Sequence, residues 1–232
     1  KSKGIDFIVC DHHLPGDTIP DAVAVLDPKR VDCGYPFKEL SGCGVGFKML
    51  QGYCQYKGLP FSEVECLLDL VVVSIASDIV PLVGENRILA HYGLKRLNEK
   101  PGKGLLSIIK ICGLDKHQIT IDDIVFKIGP RINAMEVDSD DENAAPSGGH
   151  SAVYLMVARD EEVASEYGAF IDTCNQDRKN IDRSITQQAH ELIERNPEMK
   201  ARKSTVIYNP KWMKGIVGIV ASRLIETYYR PT

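Results

Sequence analysis

Two short apolar runs rich in β-branched residues open the chain, residues 5–10 (IDFIVC) and 22–26 (AVAVL). Unbroken runs of that length, bounded by turn residues, predict buried strands in a sheet covered on both faces. The first ends on Asp11-His12-His13 and the second on Asp27-Pro28, and turn-rich sequence follows through Gly34-Tyr35-Pro36. The period then lengthens. Phe47, Met49, Leu50, Tyr53 and Cys54 fall near helical spacing behind Ser41-Gly42-Cys43-Gly44-Val45-Gly46. Glycines such as Gly44 and Gly46 ahead of a helix let a phosphate approach its first amides, and equally let the helix pack closely. Ser62, with Glu63 and Glu65 in the first turn, predicts the N-cap of an almost wholly apolar helix to about residue 76. A helix apolar all round is central to its fold. It delivers Asp78 at its C-terminal end, where a carboxylate opposes the helix dipole and calls for a positive partner.

Residues 86–97 and 104–111 predict two more helices, and 124–128 leads into Gly129-Pro130-Arg131-Ile132-Asn133-Ala134, where the first unit closes. Residues 136–142 (EVDSDDE) hold five carboxylates and, with 143–149, make a polar stretch expected to be a mobile loop. From 160 to about 196, Tyr167, Phe170, Ile171, Cys174, Ile181, Ile185, Ala189, Leu192 and Ile193 recur at three and four, predicting one long amphipathic helix. At 1.5 Å per residue it spans about 55 Å, enough to bridge two domains. Asn196-Pro197 stops it, residues 204–208 (STVIY) predict a strand, and 215–229 a glycine-led helix. The chain ends where another strand is expected, so a second α/β unit reads as begun and unfinished. The start, Lys1-Ser2-Lys3-Gly4, likewise reads as cut.

Composition narrows the class. The 232 residues, 44% hydrophobic and 26% charged, exclude a disordered or disulfide-stapled chain and suffice for one large domain or somewhat more. Seven cysteines without a CxxC pair point to a reducing cytoplasm. Asp69 and Asp78 interrupt the longest apolar stretch, so no membrane helix is expected. The net charge of −4 gives no global support for a nucleic-acid partner, which must be argued locally.

Asp11-His12-His13 at a strand end is the most informative tripeptide, because ligands of open α/β sheets bind beyond the carboxyl ends of strands. A carboxylate with two imidazoles offers mixed oxygen and nitrogen ligation, suited to Mn²⁺, Zn²⁺ or Fe²⁺. Adjacent strand residues point to opposite faces, so one histidine reads as a ligand and the other as a substrate contact. The alternative is a polar turn whose histidines merely cap the strand.

A longer match weighs on that choice. Val9-Cys10-Asp11-His12-His13-Leu14-Pro15, Asp27-Pro28-Lys29-Arg30, the block from Tyr35 through Lys48, Asp78-Ile79-Val80-Pro81-Leu82, Glu85-Asn86-Arg87, Gly93-Leu94-Lys95-Arg96-Leu97 and Pro130-Arg131-Ile132-Asn133-Ala134 occur in this order. Together they resemble the DHH phosphoesterase family, specifically its RecJ-type single-strand DNA exonucleases. The tail, Gly215-Ile216-Val217-Gly218-Ile219-Val220-Ala221-Ser222-Arg223-Leu224, resembles the opening of the DHHA1 domain that follows in that family.

The resemblance implies an α/β fold: the later part of a parallel-sheet DHH domain over 1–135, an acidic loop and lead-in over 136–158, a long connecting helix over 159–197, and the start of DHHA1 over 203–232. It implies 5′ to 3′ hydrolysis of single-stranded DNA by a two-metal centre of Mn²⁺ or Mg²⁺, in repair and recombination. Partners would be a strand with a 5′ end, a single-strand-binding protein and a helicase. Asp11, His12 and Asp78 would be metal residues, His13 a phosphate contact, and Arg131 and Asn133 residues of the catalytic cleft. Arg223, with Gly44, Gly46 and Gly218, would contact the nucleic acid. Lys29, Arg30, Lys38 and Lys48 could add local positive potential. The family's aspartate-rich motifs upstream of the DHH strand are not matched here, so the chain alone is expected to be inactive. Gly148-Gly149-His150 is similar to a signature placed deep inside DHHA1, but its position makes His150 a loop histidine. The alternatives are a catalytically dead DHH scaffold binding replication partners, and a phosphoesterase acting on short oligonucleotides or cyclic dinucleotides.

Overall fold

The structure is a computed structural model that describes residues 3–134 and 148–232. The acidic stretch at 136–147 lies outside the described residues. The two opening runs form β1 (Ile8–Cys10) and β2 (Ala24–Leu26), paired in parallel with Ile8 opposite Ala24, Val9 opposite Val25 and Cys10 opposite Leu26. The strands are shorter and less buried than their composition predicts. Ile5, Phe7 and Ile8 remain exposed, because among the described residues the sheet has only these two strands.

Helix α1 (Gly42–Lys57) starts at Ser41, whose Oγ accepts from Gly44 N–H, and stops at Gly58 in the left-handed region. The expected single helix over 62–76 is two, α2 (Ser62–Glu65) and α3 (Leu68–Ser77). Leu67 N–H bonds to Val64 O and Leu70 N–H to Leu67 O, a tighter winding that interrupts the ladder. Phe61, not Ser62, holds the N-cap position. Helix α4 (Gly84–Glu99) packs along α3, and α5 (Lys103–Ile111) follows. A capping box between Thr120 and Asp123 opens α6 (Ile121–Asp123). It runs through a π-helical turn (Ile124–Ile128) into α7 (Gly129–Asn133). Helix α8 (Gly148–Met156) falls mostly in the expected lead-in to the long helix, overlaps the expected loop only at residues 148–149, and includes the backbone of residue 150, which was expected in a loop.

Capped by Asp160, α9 (Glu161–Glu194) is the long helix, and α10 (Pro197–Ala201) and α11 (Lys214–Tyr228) follow. Its 34 residues give about 51 Å. It joins two cores: Ala164 and Ile171 pack with Val72, Ile108 and Ile128, whereas Ile185, Ala189 and Ile193 pack with Ile216, Val220 and Leu224. The predicted strand at 204–208 does not form. A strand needs a ladder partner, and here the backbone makes one cross-chain bond, Thr205 N–H to Pro231 O at 2.8 Å. The chain is thus an α/β fold in which helices dominate a small parallel sheet.

The remaining sequence blocks lock these elements together. Glu85 accepts from the Tyr35 hydroxyl at 2.9 Å and pairs with Lys48 at 3.0 Å, and fully buried Asn86 donates to the carbonyls of Glu39 and Pro81. Burial, and then the Glu85 carboxylate, raise the Tyr35 phenol above its ordinary value, so it stays a donor.

Candidate metal and nucleic-acid site

Sheet bonding ends at Asp11, whose N–H donates to Leu26 O at 2.9 Å. Asp11 Oδ1 then accepts from the amides of His12 (2.7 Å) and His13 (3.2 Å) and lies 2.7 Å from His13 Nδ1. The side-chain hydrogen bond with His13 is the main reason the Asp11 carboxyl sits below the ordinary aspartate range. The turn separates the two rings. His12 is 15% exposed and His13 79%, with ring centroids 4.5 Å apart.

Helix α3 supplies the facing wall. It ends in a Schellman motif, with Val80 N–H bonded to Ile75 O and Ile79 N–H to Ala76 O, both at 3.3 Å. The left-handed position of that motif, usually glycine, is Ile79 at φ 51. A β-branched residue there is strained, and the strain lies directly beside Asp78. Asp78 Oδ2 is 3.7 Å from His12 Nε2 and accepts from Ser74 Oγ at 3.4 Å. The positive partner that the helix-end carboxylate calls for is therefore the His12 imidazole when protonated, or a cation shared with it. Gly42 backs the ring on its other side, where a Cβ would stand 3.4 Å from His12 Cδ2.

His12 Nε2 and Asp78 Oδ2 form a nitrogen and oxygen pair of the kind first-row divalent ions accept. With metal to donor bonds of about 2.0–2.2 Å, neighbouring donors on one ion stand about 3 Å apart, so a small approach from 3.7 Å brings this pair onto one cation. Among the described residues no group of three or more His, Cys, Asp or Glu side chains is gathered to hold an ion. The pair fits two positions of a cation's shell.

The other candidates lie apart from this pair. Arg131 Nε donates to Asp172 on α9 at 3.0 Å and Nη1 to Lys127 O at 2.9 Å, which fixes the guanidinium against the long helix. Asn133 accepts at its backbone oxygen from Arg178. Arg223 on α11 pairs with Asp182 at 2.7 Å. Gly44 has its N–H taken by Ser41 Oγ at 3.1 Å, while Gly46 and Gly218 face open space. Arg30 pairs with Asp32, Lys29 with Glu39 and Lys48 with Glu85, and Lys38 donates to Cys33 O, so these four cations are already engaged.

Sequence reasoning missed Asp172, Asn175, Arg178, Lys179 and Asp182. Its signal was available: the buried stripe of α9 runs Ala164, Gly168, Ile171, Asn175, Asp182, Ile185, Ala189, Ile193, polar in its middle. Phe170 and Leu192, read as core, are 45% and 41% exposed.

Residues 1–75 match the family described as "DHH family, N-terminal domain". The whole chain aligns with single-stranded-DNA-specific exonucleases RecJ, 37% identical over 231 residues in Bacillus subtilis and 33% over 246 in Escherichia coli. The match to the DHH family is confined to the first 75 residues, whereas the similarity to the RecJ exonucleases runs the length of the chain. It spans 27% of the Bacillus subtilis protein and 41% of the Escherichia coli one. Among solved structures, the Thermus thermophilus RecJ in complex with Mn²⁺ superposes with TM-score 0.78 and 27% identity, covering 99% of this chain and 32% of that one. A manganese-bound exonuclease RecJ gives 0.76 and 28%, covering 98% and 54%. The first of these proteins has also been solved with Mg²⁺. The fold of this chain, small sheet and long helix together, thus superposes on metal-bound structures.

Proposed function

We propose that this chain serves in a metal-dependent, RecJ-type 5′ to 3′ exonuclease acting on single-stranded DNA. The observation that carries the reading is the convergence of His12, at the end of β1, on Asp78, at the end of α3. Both would hold one divalent ion, Mn²⁺ or Mg²⁺, the metals named for the similar structures. Such an ion, when bound, lowers the pKa of a coordinated water and offsets charge on phosphoryl oxygens. The chain's own groups do the rest. Asp11 Oδ1 holds His13 by Nδ1, which leaves the exposed Nε2 edge of that ring to meet a phosphate oxygen. Arg131, anchored by Asp172, and Asn133 form the wall toward α9.

With two donors in hand, the 232-residue chain alone is inactive in this reading. The finer expectations of service in repair and recombination beside a single-strand-binding protein and a helicase rest on the family resemblance alone, since the relatives' names extend only to exonuclease action on single-stranded DNA. In the full natural polypeptide, His12→Ala and Asp78→Ala should each abolish Mn²⁺-dependent release of nucleotides from 5′-labelled single strands. Unchanged release in either variant overturns the metal assignment, and robust release by the isolated chain overturns the two-donor account.

A further inference from the structure

A second polar site lies along the long helix. Between α7, α9 and α11 is a cleft of about 300 Å³, lined by Ser77, Asn175, Arg178, Lys179, Asp182 and Arg223 among others. Asn175 is 3% exposed, and its Nδ2 has no hydrogen-bond partner. Ser77 Oγ, also on the lining, is buried and unpartnered in the same way. Leaving a buried polar group unmatched is costly, which marks the cleft as shaped for something polar.

Charge identifies the occupant. Arg223, the cation singled out by sequence, is matched by Asp182, whose carboxylate also accepts from Thr186. Arg178 spends one donor on Asn133 O at 3.1 Å and has four left, in a fork that suits phosphate oxygens. Lys179 makes no ion pair with any described residue. Among the described residues the cleft therefore carries two cations without an ion pair beside an unmatched amide donor, with the neighbouring Asp177 not on its lining, and the anion that fits is a phosphodiester.

We propose that Asn175, Arg178 and Lys179 form a phosphate-gripping subsite on the connecting helix, which holds the backbone of the single strand as it leaves the His12–Asp78 centre. The subsite rests on the exonuclease reading for the identity of its strand. Its own basis is the unmatched amide and charges.

The test is binding of a 3′-labelled oligodeoxythymidylate to the full natural polypeptide in EDTA across a salt series. The double variant Arg178→Gln/Lys179→Gln should weaken binding and reduce the slope of log affinity against log salt by about 0.7 for one phosphate lost, or about 1.4 for two. Asn175→Asp should weaken it further at low salt. Arg178→Lys/Lys179→Arg should restore the slope, and thermal melts of all variants report whether the fold is intact. An unchanged slope and affinity in a folded glutamine variant overturns the subsite. Titration of inorganic phosphate distinguishes a small-anion site: phosphate binding lost in the variant with DNA binding unchanged overturns the nucleic-acid assignment. His12→Ala should leave the slope unchanged. A parent polypeptide that releases no nucleotide with Mn²⁺ sinks the exonuclease reading while leaving the subsite standing.

Discussion

Gly93 sets the distance between α3 and α4, and hence where Asp78 stands. A Cβ on Gly93 would lie 2.5 Å from Leu68 O and 2.6 Å from Val72 Cβ. Neither can swing aside, since one is backbone and the other the first carbon of a side chain with no exposed surface. Ordinary contact would require the two helices to part by about 0.9 Å in a close-packed core. Overpacking of that kind costs about 1–3 kcal/mol, and the better helix propensity of alanine returns about 1. Gly93→Ala should therefore lose up to about 2 kcal/mol, read as a fall of up to about 8 °C in melting temperature by calorimetry. Gly52→Ala, in α1 with nothing within 4 Å, is the control and should gain up to about 1 kcal/mol. If the proposed function holds, the same displacement, because α3 carries Asp78 toward β1, should lower Mn²⁺-dependent nucleotide release by the full natural polypeptide by as much as about 10²-fold. A Gly93→Ala variant that melts with the control and releases nucleotide at the parental rate refutes the argument.

Two further perturbations read other parts of the fold. Ile79→Gly relieves a left-handed penalty of about 1–2 kcal/mol at a side chain that is 77% exposed, against about 0.5–1 for the added freedom of the unfolded chain. Its urea midpoint should rise, and a fall would show that the Ile79 conformation is not strained. Asp123 accepts from Lys127 and Thr120, with the Lys127 bond the largest reason its carboxyl lies below the ordinary range. A depressed folded pKa contributes stability above the unfolded value near 3.9 and loses it as pH falls through the folded one. The melting-temperature gap between the parent and Asp123→Asn should accordingly be full at pH 7 and close below pH 4; a gap independent of pH contradicts the account.

Local pattern made some elements legible and not others. The strands at β1 and β2, though little buried, the helices α4, α5 and α11 and the reach of α9 followed from the spacing of their apolar residues. The segment at 204–208 has the composition of a strand, but pairing is a non-local property and no ladder partner reaches it. The break between α2 and α3 was hidden because Cys66 and Leu67 are apolar residues compatible with a continuous helix, and the change lies in hydrogen bonding alone. At the site, Asp11, His12 and Asp78 stood out as polar residues at the ends of apolar elements. Asn175 and Asp182 did not, because a polar residue within a long amphipathic helix reads as its solvent face until the buried stripe is seen to pass through it.

The net charge of −4 now has a local interpretation. Asp172 and Asp182, spaced along α9, each engage one arginine from a different element, Arg131 of α7 and Arg223 of α11. Both arginines were read as substrate contacts, yet in this arrangement their forks tie the two cores to one helix. Between those two carboxylates lie Asn175, Asp177, Arg178 and Lys179; Asp177 is not on the cleft lining, and the two cations make no ion pair among the described residues. Coulomb attraction at a Debye length near 8 Å depends on the unmatched charges within that radius more than on the sum over the chain. An acidic chain can therefore present a basic cleft when its carboxylates neutralise structural arginines and leave the neighbouring cations free.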